Sequence, residues 1–374
     1  MTSIYALARA DFFKAELETA ELYVNGQKQT VTVEMREDRL LGIQSIISPE
    51  GAGRPLSFYP EMTITQYEDC PFDDPFNNMP EPLYRHTRDG EVVAVTSYNL
   101  HPSGQHHYVS VYAPFGIHKS AIPEVDYSDL DAWIESEYDL VKKYNGKAEA
   151  FQDYTNFGAL AGASQKHFHS QRKATKLDPA HKDLTRNAKE LYDRYGKNPF
   201  DIYVEQELED GQRVIYCDDN VYIGAMFAPR TTDGIIVIPR QDMSNILRSD
   251  RSYRSHVAHS FLGAFRGLHF INGYKDVNIG VYQAPYEVMD EPWFRLHILL
   301  LPRRLRQPPV DQAGEEIFYR RFPVENIPEE TAAKHRPWYK GASPEFLLKV
   351  NGQVPPEIWN EFVMSELGSK PATQ

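Results

Sequence analysis

The residues best suited to chemistry lie close together between Asn156 and Gln171. In the segment Asn156-Phe-Gly-Ala-Leu-Ala-Gly-Ala-Ser-Gln-Lys-His-Phe-His-Ser-Gln171, two histidines and a glutamine alternate with other residues. Side chains of a β-strand point alternately to its two faces, so a strand here would place His167, His169 and Gln171 on one surface and Phe168 in the core. Two imidazoles and an amide on one surface are suited to chemistry on a phosphate group.

A loop of small residues precedes these side chains. Gly158, Gly162 and Ala163 allow backbone N–H groups to approach phosphate oxygens closely, and Ser164 can add a hydroxyl donor. A lone His-x-His pair is common and is as often structural as functional. The full spacing Asn-x-Gly-x-x-x-Gly-Ala-Ser-x-x-His-x-His-x-Gln is much more specific.

That spacing resembles the active-site motif of the galactose-1-phosphate uridylyltransferase family, a branch of the histidine triad superfamily. Phe168 stands where the family usually has proline, and Ser170 fits the position before the glutamine. The resemblance implies an α+β fold of two histidine-triad-like halves, each a mostly antiparallel sheet with helices. Residues 1–197 would form the half with the nucleophile and a zinc site, and residues 198–374 a degenerate half. It also implies a homodimer with sites near the interface.

The resemblance also assigns roles to the motif. His169 would be the nucleophile, because a neutral imidazole can attack phosphorus and form a covalent nucleotidyl-histidine. Gln171 and Ser164, with the backbone at Gly162 and Ala163, would donate hydrogen bonds to the phosphate oxygens.

Three further residues are implied as substrate contacts. Arg36 matches the second arginine of the family's N-terminal signature, which continues here to Arg54-Pro55. Asn99 matches the asparagine of the nucleoside-binding loop, although Leu100 follows it where many uridylyltransferases carry aspartate. Asn156 opens the active-site motif.

A zinc site is the cofactor prediction. Cys70 and Asp73 have the spacing of half a zinc knuckle, although a single cysteine in a loop is more often a small buried residue. Many family members have a second cysteine where Asp73 stands here. The resemblance adds His118 and His167 as ligands, with a solvated loop histidine as the alternative for His118. Four protein ligands would make the site structural.

Composition limits the other classes of function. The chain has 374 residues and a net charge of −13, which argues against binding nucleic acid polymers or anionic membranes. A small anionic substrate remains compatible with this charge. The two cysteines, Cys70 and Cys217, are too few for a disulfide framework. With no long apolar segment, the sequence predicts a soluble cytoplasmic protein.

Apolar periodicity predicts the elements that position the motif. In the first half we expect strands within 21–48 around a turn at Asn25-Gly26, strands at 91–95 and 107–112, and helices capped by Ser128 and opened by Pro179. After a boundary near 197–199 we expect strands at 202–208, 214–217, 221–227, 235–239, 277–282 and 293–301, with a helix at about 250–270.

The second half lacks the corresponding histidine pair. Arg295 occupies the first histidine position and His297 the second, and Tyr282 stands where some relatives have a metal-binding histidine. The iron-binding set of the family is therefore not kept. We expect His297 to be a hydrogen-bonded structural residue or a substrate contact.

Three functions fit these residues. The first is a nucleotidyltransferase that moves a nucleoside monophosphate, UMP by resemblance, from a nucleotide sugar to a hexose 1-phosphate. The second is a phosphorylase that uses phosphate as acceptor and a nucleoside diphosphate sugar or dinucleoside polyphosphate as donor. The third is a non-catalytic nucleotide sensor, which the intact His169 and Gln171 disfavour.

Overall fold

The computed structural model describes residues 9–24, 27–48, 70–104, 106–304 and 313–341. The predicted turn at Asn25-Gly26 and the signature residues Arg54-Pro55 lie outside these ranges. None of the helices in the described ranges is long and apolar enough to cross a membrane.

A small sheet joins the two ends of the described chain. Its strands are β1 (Phe13–Val24), β2 (Gln27–Asp38), β3 (Ile43–Ile47) and β14 (Arg321–Val324). The order is β1-β2-β3-β14, and β14 runs parallel to β3 while the other pairs are antiparallel. The strands predicted within residues 21–48 are confirmed.

A ten-stranded antiparallel sheet carries the motif. Its strands are β4 (Tyr84–Arg88), β5 (Glu91–Tyr98), β6 (His106–Tyr112), β7 (Ala150–Phe157), β8 (His169–Thr175), β9 (Val214–Cys217), β10 (Val221–Ala225), β11 (Ile235–Pro239), β12 (Asp276–Tyr282) and β13 (His297–Arg303). Their order is β4-β5-β6-β8-β7-β12-β13-β11-β10-β9.

The two halves of the sheet have the same strand order. Counted inward from either edge, the strands are the first, second, third, fifth and fourth of their half along the chain. Each half contributes three strands, a long helix and two more strands, and the halves meet where β7 pairs with β12. The predicted α+β class and the repeated pattern are confirmed. The boundary between 197 and 198 stays a prediction, because one continuous sheet spans both sides of it.

The helices are α1 (Pro75–Asn78), α2 (Tyr127–Tyr144), α3 (Pro179–Tyr195), α4 (Pro199–Asp210), α5 (Arg251–Asn272), α6 (Ala313–Tyr319) and α7 (Pro328–Gly341). Pro179 begins α3 as predicted, and Gly196 ends it with a φ of 64°. The predicted cap Ser128 is wrong by two positions. Asp126 is the N-cap of α2, and its carboxylate accepts from the N–H groups of Ser128 and Asp129.

The strand predicted at 202–208 is wrong, because this segment lies inside α4. Asn198 caps that helix by accepting from the N–H of Phe200, Pro199 takes the first turn, and Gly211 ends it with a φ of 70°. These signals at the two ends of the segment outweigh its apparent alternation. Two boundaries also move, since β8 begins at His169 and β13 at His297.

The two faces of the large sheet are covered differently. Helices α2 and α5 pack on one face, where Phe168 joins the main core as predicted. On the other face, the second half is covered by α3, α4 and the small sheet through a second buried cluster. Over the first half, the described residues that pack on that other face form a small cluster around Met79, Val109 and Val111. The candidate site lies on this part of the sheet.

Candidate active site

The small-residue loop is shaped by two glycines in a left-handed conformation. Gly158 and Gly162 have φ angles of 85° and 87°. A Cβ at Gly158 would lie 2.2 Å from the carboxylate of Asp276, so only glycine fits there. The N–H of Gly162 donates to the carbonyl of Ala159 (3.0 Å), and that of Ala163 donates to Gly158 (3.1 Å). These two predicted phosphate donors therefore hold the loop in its present shape.

Strand β12 of the second half anchors this loop. The carboxylate of Asp276 accepts from the N–H of Leu160 (2.9 Å). Asn278 Nδ2 donates to Asn156 Oδ1 (2.9 Å) and to the carbonyl of Ala161 (2.8 Å). Asn156 thus joins the loop to the second half. Asp276 and Asn278 carry no signal in the sequence, because their role depends on the pairing of β12 with β7.

His169 is held in one tautomer. Its Nδ1 donates to the carbonyl oxygen of His167 (2.7 Å), so its Nε2 carries the lone pair. His169 is only 3% exposed, and this burial lowers its pKa to about 4. The ring of Phe72 packs against it with centroids 5.0 Å apart. The imidazole is therefore neutral over the physiological pH range.

Gln171 is oriented by two donors. Its Oε1 accepts from the hydroxyl of Tyr154 (2.9 Å) and from Nε2 of His107 (3.1 Å). Nδ1 of His107 accepts from the N–H of Ser103 (3.1 Å), which fixes the proton on Nε2. Nδ2 of Asn99 lies 3.3 Å from the same Nε2. With its oxygen engaged, Gln171 keeps its amide N–H groups for a ligand.

The exposed hydroxyl of Ser164 lies at the end of the loop before these side chains. Tyr154 and His107 were missed in the sequence. Each lies on a strand beside β8, in register with Gln171 or Lys173. Registers between distant strands cannot be derived from residue types alone.

The four predicted metal ligands come together. One ligand atom from each of Cys70, Asp73, His118 and His167 lies within 4.8 Å of all the others. Asp73 Oδ1 is 2.9 Å from Nδ1 of His167 and 3.2 Å from Nδ1 of His118, and Cys70 Sγ is 4.0 Å from Nδ1 of His167. One thiolate, two imidazoles and one carboxylate are a donor set that zinc accepts.

Arg36 has other partners. Its guanidinium, in β2, pairs with Glu34 (2.9 Å) and Glu329 (2.9 Å) and lies over the ring of Phe227. These contacts belong to the small sheet, α7 and the segment after β10. A role for Arg36 in binding substrate stays a prediction.

In the second half, Arg295 occupies the position that corresponds to His167. Its guanidinium donates to the carbonyls of Pro239 (3.0 Å) and Arg240 (2.8 Å) and pairs with Asp201 (3.0 Å). The end of β11 and helix α4 are thereby tied to the start of β13. One side chain thus links three segments, as a metal ion would in the first half.

His297 repeats the local geometry of His169. Its Nδ1 donates to the carbonyl of Arg295 (3.1 Å), and burial lowers its pKa to about 4. Leu299 stands where the first half has Gln171, so the amide is missing. His297 is hydrogen-bonded, as predicted. Among the described residues, the side chains that could hold a metal ion form one group, the one in the first half.

Solved structures share this architecture. An ADP-glucose phosphorylase from Arabidopsis thaliana with bound ADP-glucose matches at a TM-score of 0.68 and 18% identity, over 81% of this chain and 98% of that one. A galactose-1-phosphate-uridylyltransferase-like protein from Arabidopsis thaliana matches at 0.65 and 18%, with the same coverage. A uridylyltransferase matches at 0.59 and 17%, over 82% and 98%.

The chain has the uridylyltransferase fold. This confirms, for the fold, the resemblance found in the motif. No family model matches the sequence. No curated protein matches it either. The shared fold extends over nearly the whole length of each neighbour, so both halves of a uridylyltransferase-type chain are represented here.

Proposed function

We propose that this protein is a nucleotidyltransferase that moves a nucleoside monophosphate, UMP by resemblance, from a nucleotide sugar to a hexose 1-phosphate through a covalent nucleotidyl-His169. One observation carries the proposal. The Nδ1 proton of His169 is held by the carbonyl of His167, and the buried ring is neutral. Nε2 is therefore a ready nucleophile that needs no separate base.

Two displacements make up the reaction. In the first, Nε2 of His169 forms a bond to the α-phosphorus while the bond from that phosphorus to the sugar phosphate breaks, and the sugar 1-phosphate leaves with the electron pair. In the second, the phosphate oxygen of another sugar 1-phosphate attacks, and the bond to Nε2 breaks. The proton stays on Nδ1 of His169 and donates to the carbonyl of His167 throughout, so no proton is gained or lost.

Gln171 and Ser164 stabilise the charge that develops on the phosphate. The amide of Gln171 is prepared for this by Tyr154 and His107, which occupy its oxygen. Donors fixed before the reaction stabilise a developing charge without reorganisation. Asn99 is proposed to contact the nucleoside beside them.

Zinc is proposed as the metal of the Cys70, Asp73, His118 and His167 cluster. When bound, it would supply a structural cross-link, because four protein ligands leave no open position for substrate. One of the four ligands, His167, lies two residues before His169, so a bound metal would fix where the nucleophile enters β8. The two roles meet in His167, whose ring is a ligand and whose carbonyl holds His169.

A phosphorylase is the second candidate. The same nucleotidyl-histidine would then be discharged by inorganic phosphate, with a nucleoside diphosphate sugar or dinucleoside polyphosphate as donor. The structural likeness to an ADP-glucose phosphorylase supports keeping this candidate. The chemistry at His169 is identical in both, and the difference lies in the acceptor.

One experiment separates these functions. The protein is incubated with UDP- and ADP-sugars labelled in the α-phosphate, and the labelled protein is isolated and offered hexose 1-phosphates or inorganic phosphate. Transfer to a hexose 1-phosphate indicates the first function, and release by phosphate alone indicates the second. Binding of nucleotide without labelling would contradict both and indicate a sensor.

A further inference from the structure

A cavity of about 370 Å³ lies in the second half, away from His169. It is enclosed by the turn between β2 and β3, the start of α3, and strands β12 and β13, and its wall includes Arg230, Tyr282 and His297. This volume falls within the range of small-molecule sites, roughly 300–1,000 Å³. The chemistry proposed for His169 makes no use of it.

Arg230 is a cation of this wall that is not paired with a carboxylate of the described residues. Its Nη1 donates to the hydroxyl of Tyr282 (3.1 Å), and its Nε is buried with no hydrogen-bond partner. Among the described residues it forms no ion pair. A half-buried guanidinium with an unsatisfied N–H is costly unless a ligand completes it. Planar guanidinium groups bind carboxylate and phosphate oxygens with two parallel hydrogen bonds.

The acidic groups of the same wall already have partners. Asp178 accepts from Gln152 Nε2 (2.7 Å) and from the ring of His181 (2.7 Å). Asp183 pairs with Arg186 (3.0 Å). Both carboxylates therefore have polar partners, whereas Arg230 has no acidic partner among the described residues.

The neighbouring aromatic groups hold Arg230 in position. The rings of Tyr282 and His297 stack with centroids 5.2 Å apart and planes 4° from parallel. Arg230 also lies 5.8 Å from the centroid of the Phe322 ring. The guanidinium thus keeps its place in the wall without a carboxylate, and this arrangement is typical of a prepared anion site.

We propose that this cavity, the Arg230 pocket, binds a small ligand through a phosphate or carboxylate group held by Arg230 and the hydroxyl of Tyr282. The inference does not rest on the chemistry at His169, since none of its residues takes part there. The site occupies the part of the second half that corresponds to the nucleophile region of the first. It gives the degenerate half a binding role.

Protection from an arginine reagent tests this site in the wild-type protein. Full-length protein is treated with phenylglyoxal at constant ionic strength, with no added ligand, with inorganic phosphate, or with succinate, and modified peptides are quantified by mass spectrometry. We expect phosphate or succinate to slow modification of Arg230 saturably and at least fivefold. Arg248, an exposed arginine paired with Asp290, should be unaffected. The more effective anion identifies the group that the pocket takes.

A variant gives the second measurement. Phosphate should raise the unfolding temperature of the wild type more than that of Arg230→Gln, whereas Arg248→Gln should respond like the wild type. Phosphate bound near His169 would stabilise the wild type and both variants equally. It therefore does not change the difference between their unfolding temperatures. Equal protection of Arg230 and Arg248, or no protection by either anion, would overturn the proposal. Protection is measured on the wild-type protein, so misfolding of Arg230→Gln would not explain a lack of protection.

Discussion

The orientation of one amide decides how Gln171 can help at phosphorus. Its oxygen is occupied by Tyr154 and His107, which leaves the N–H groups for the phosphate oxygens. We expect Gln171→Ala to form the nucleotidyl-protein about 10²–10³ times more slowly, the usual cost of losing one such donor. Rapid quenching of the labelling reaction measures this rate. An unchanged rate would remove Gln171 from the mechanism.

His107 is expected to act through Gln171. Replacing it by alanine removes one of the two donors that orient the amide, which corresponds to about 1 kcal/mol or a roughly fivefold slower labelling step. His101→Ala is the matched control, because His101 is exposed in the loop before β6. The double variant of His107 and Gln171 should be no slower than Gln171→Ala. Additive losses would show that His107 acts independently.

The sequence reveals the residues of one continuous motif but not the residues that hydrogen-bond to them. His169, Gln171 and Ser164 follow each other within a short segment of known spacing. Tyr154, Asp276 and Asn278 come from strands β7 and β12, and only the paired sheet brings them to the loop. Single residues on separate strands carry no spacing signal.

Among the elements, we expect the segment before β8 to depend on the proposed metal cluster. We expect about one zinc per chain, held by Cys70, Asp73, His118 and His167. Cys70→Ser should lose the metal and unfold at a lower temperature, whereas Cys217→Ser, outside the cluster, should do neither. Elemental analysis and thermal unfolding check this. Metal-free wild-type protein whose stability is unchanged by Cys70→Ser would contradict it.

Strand β13 should respond to acid through His297. Its pKa is about 4 in the folded protein and 6.5 when exposed, with burial as the main cause. Between these values the unfolded chain binds a proton that the folded chain does not, so this contribution to the free energy of unfolding is lost as the pH falls from 6.5 to 4. Over this range the wild type should lose about 3 kcal/mol more than His297→Asn.

Urea unfolding of both proteins at pH 6.5 and pH 4 measures the difference. Burial raises the pKa values of Asp38 and Glu207 to about 7, so these two groups increase the free energy of unfolding as the pH falls. They do so in both proteins, and the comparison of the two proteins therefore isolates the effect of His297. Parallel pH dependence in the two proteins would show that His297 does not titrate as the structure indicates.

Most elements could be predicted from apolar periodicity and end signals. Helix α3 has both proline and glycine at its ends, and β11 is bounded as expected. Helix α4 was mistaken for a strand because its apolar residues alternate as well as recur at helical spacing. The small sheet buries one side of α4, and no local pattern in the sequence reveals this burial. A segment buried on one side can be a helix or a strand.

For the whole molecule, the resemblance of the motif predicts a homodimer. Among the described residues, α3, α4 and the small sheet bury the face that carries His297 in the second half, and a small cluster packs beside His169 in the first half. We expect a homodimer interface near His169. We expect sedimentation at micromolar concentration to give twice the mass of 43.0 kDa. A fully active monomer would contradict this.

The central claim is that His169 carries the nucleotide, and its direct test is the position of the label. Protein labelled by a nucleotide sugar is digested and the modified peptide is sequenced by mass spectrometry. His169→Asn and His297→Asn form a matched pair, since both histidine rings are buried and each donates a hydrogen bond from Nδ1 to a backbone carbonyl. The nucleotide should lie on His169 in the wild type and in His297→Asn, and His169→Asn should remain unlabelled. A nucleotide on any other residue, or labelling of His169→Asn, would contradict the account.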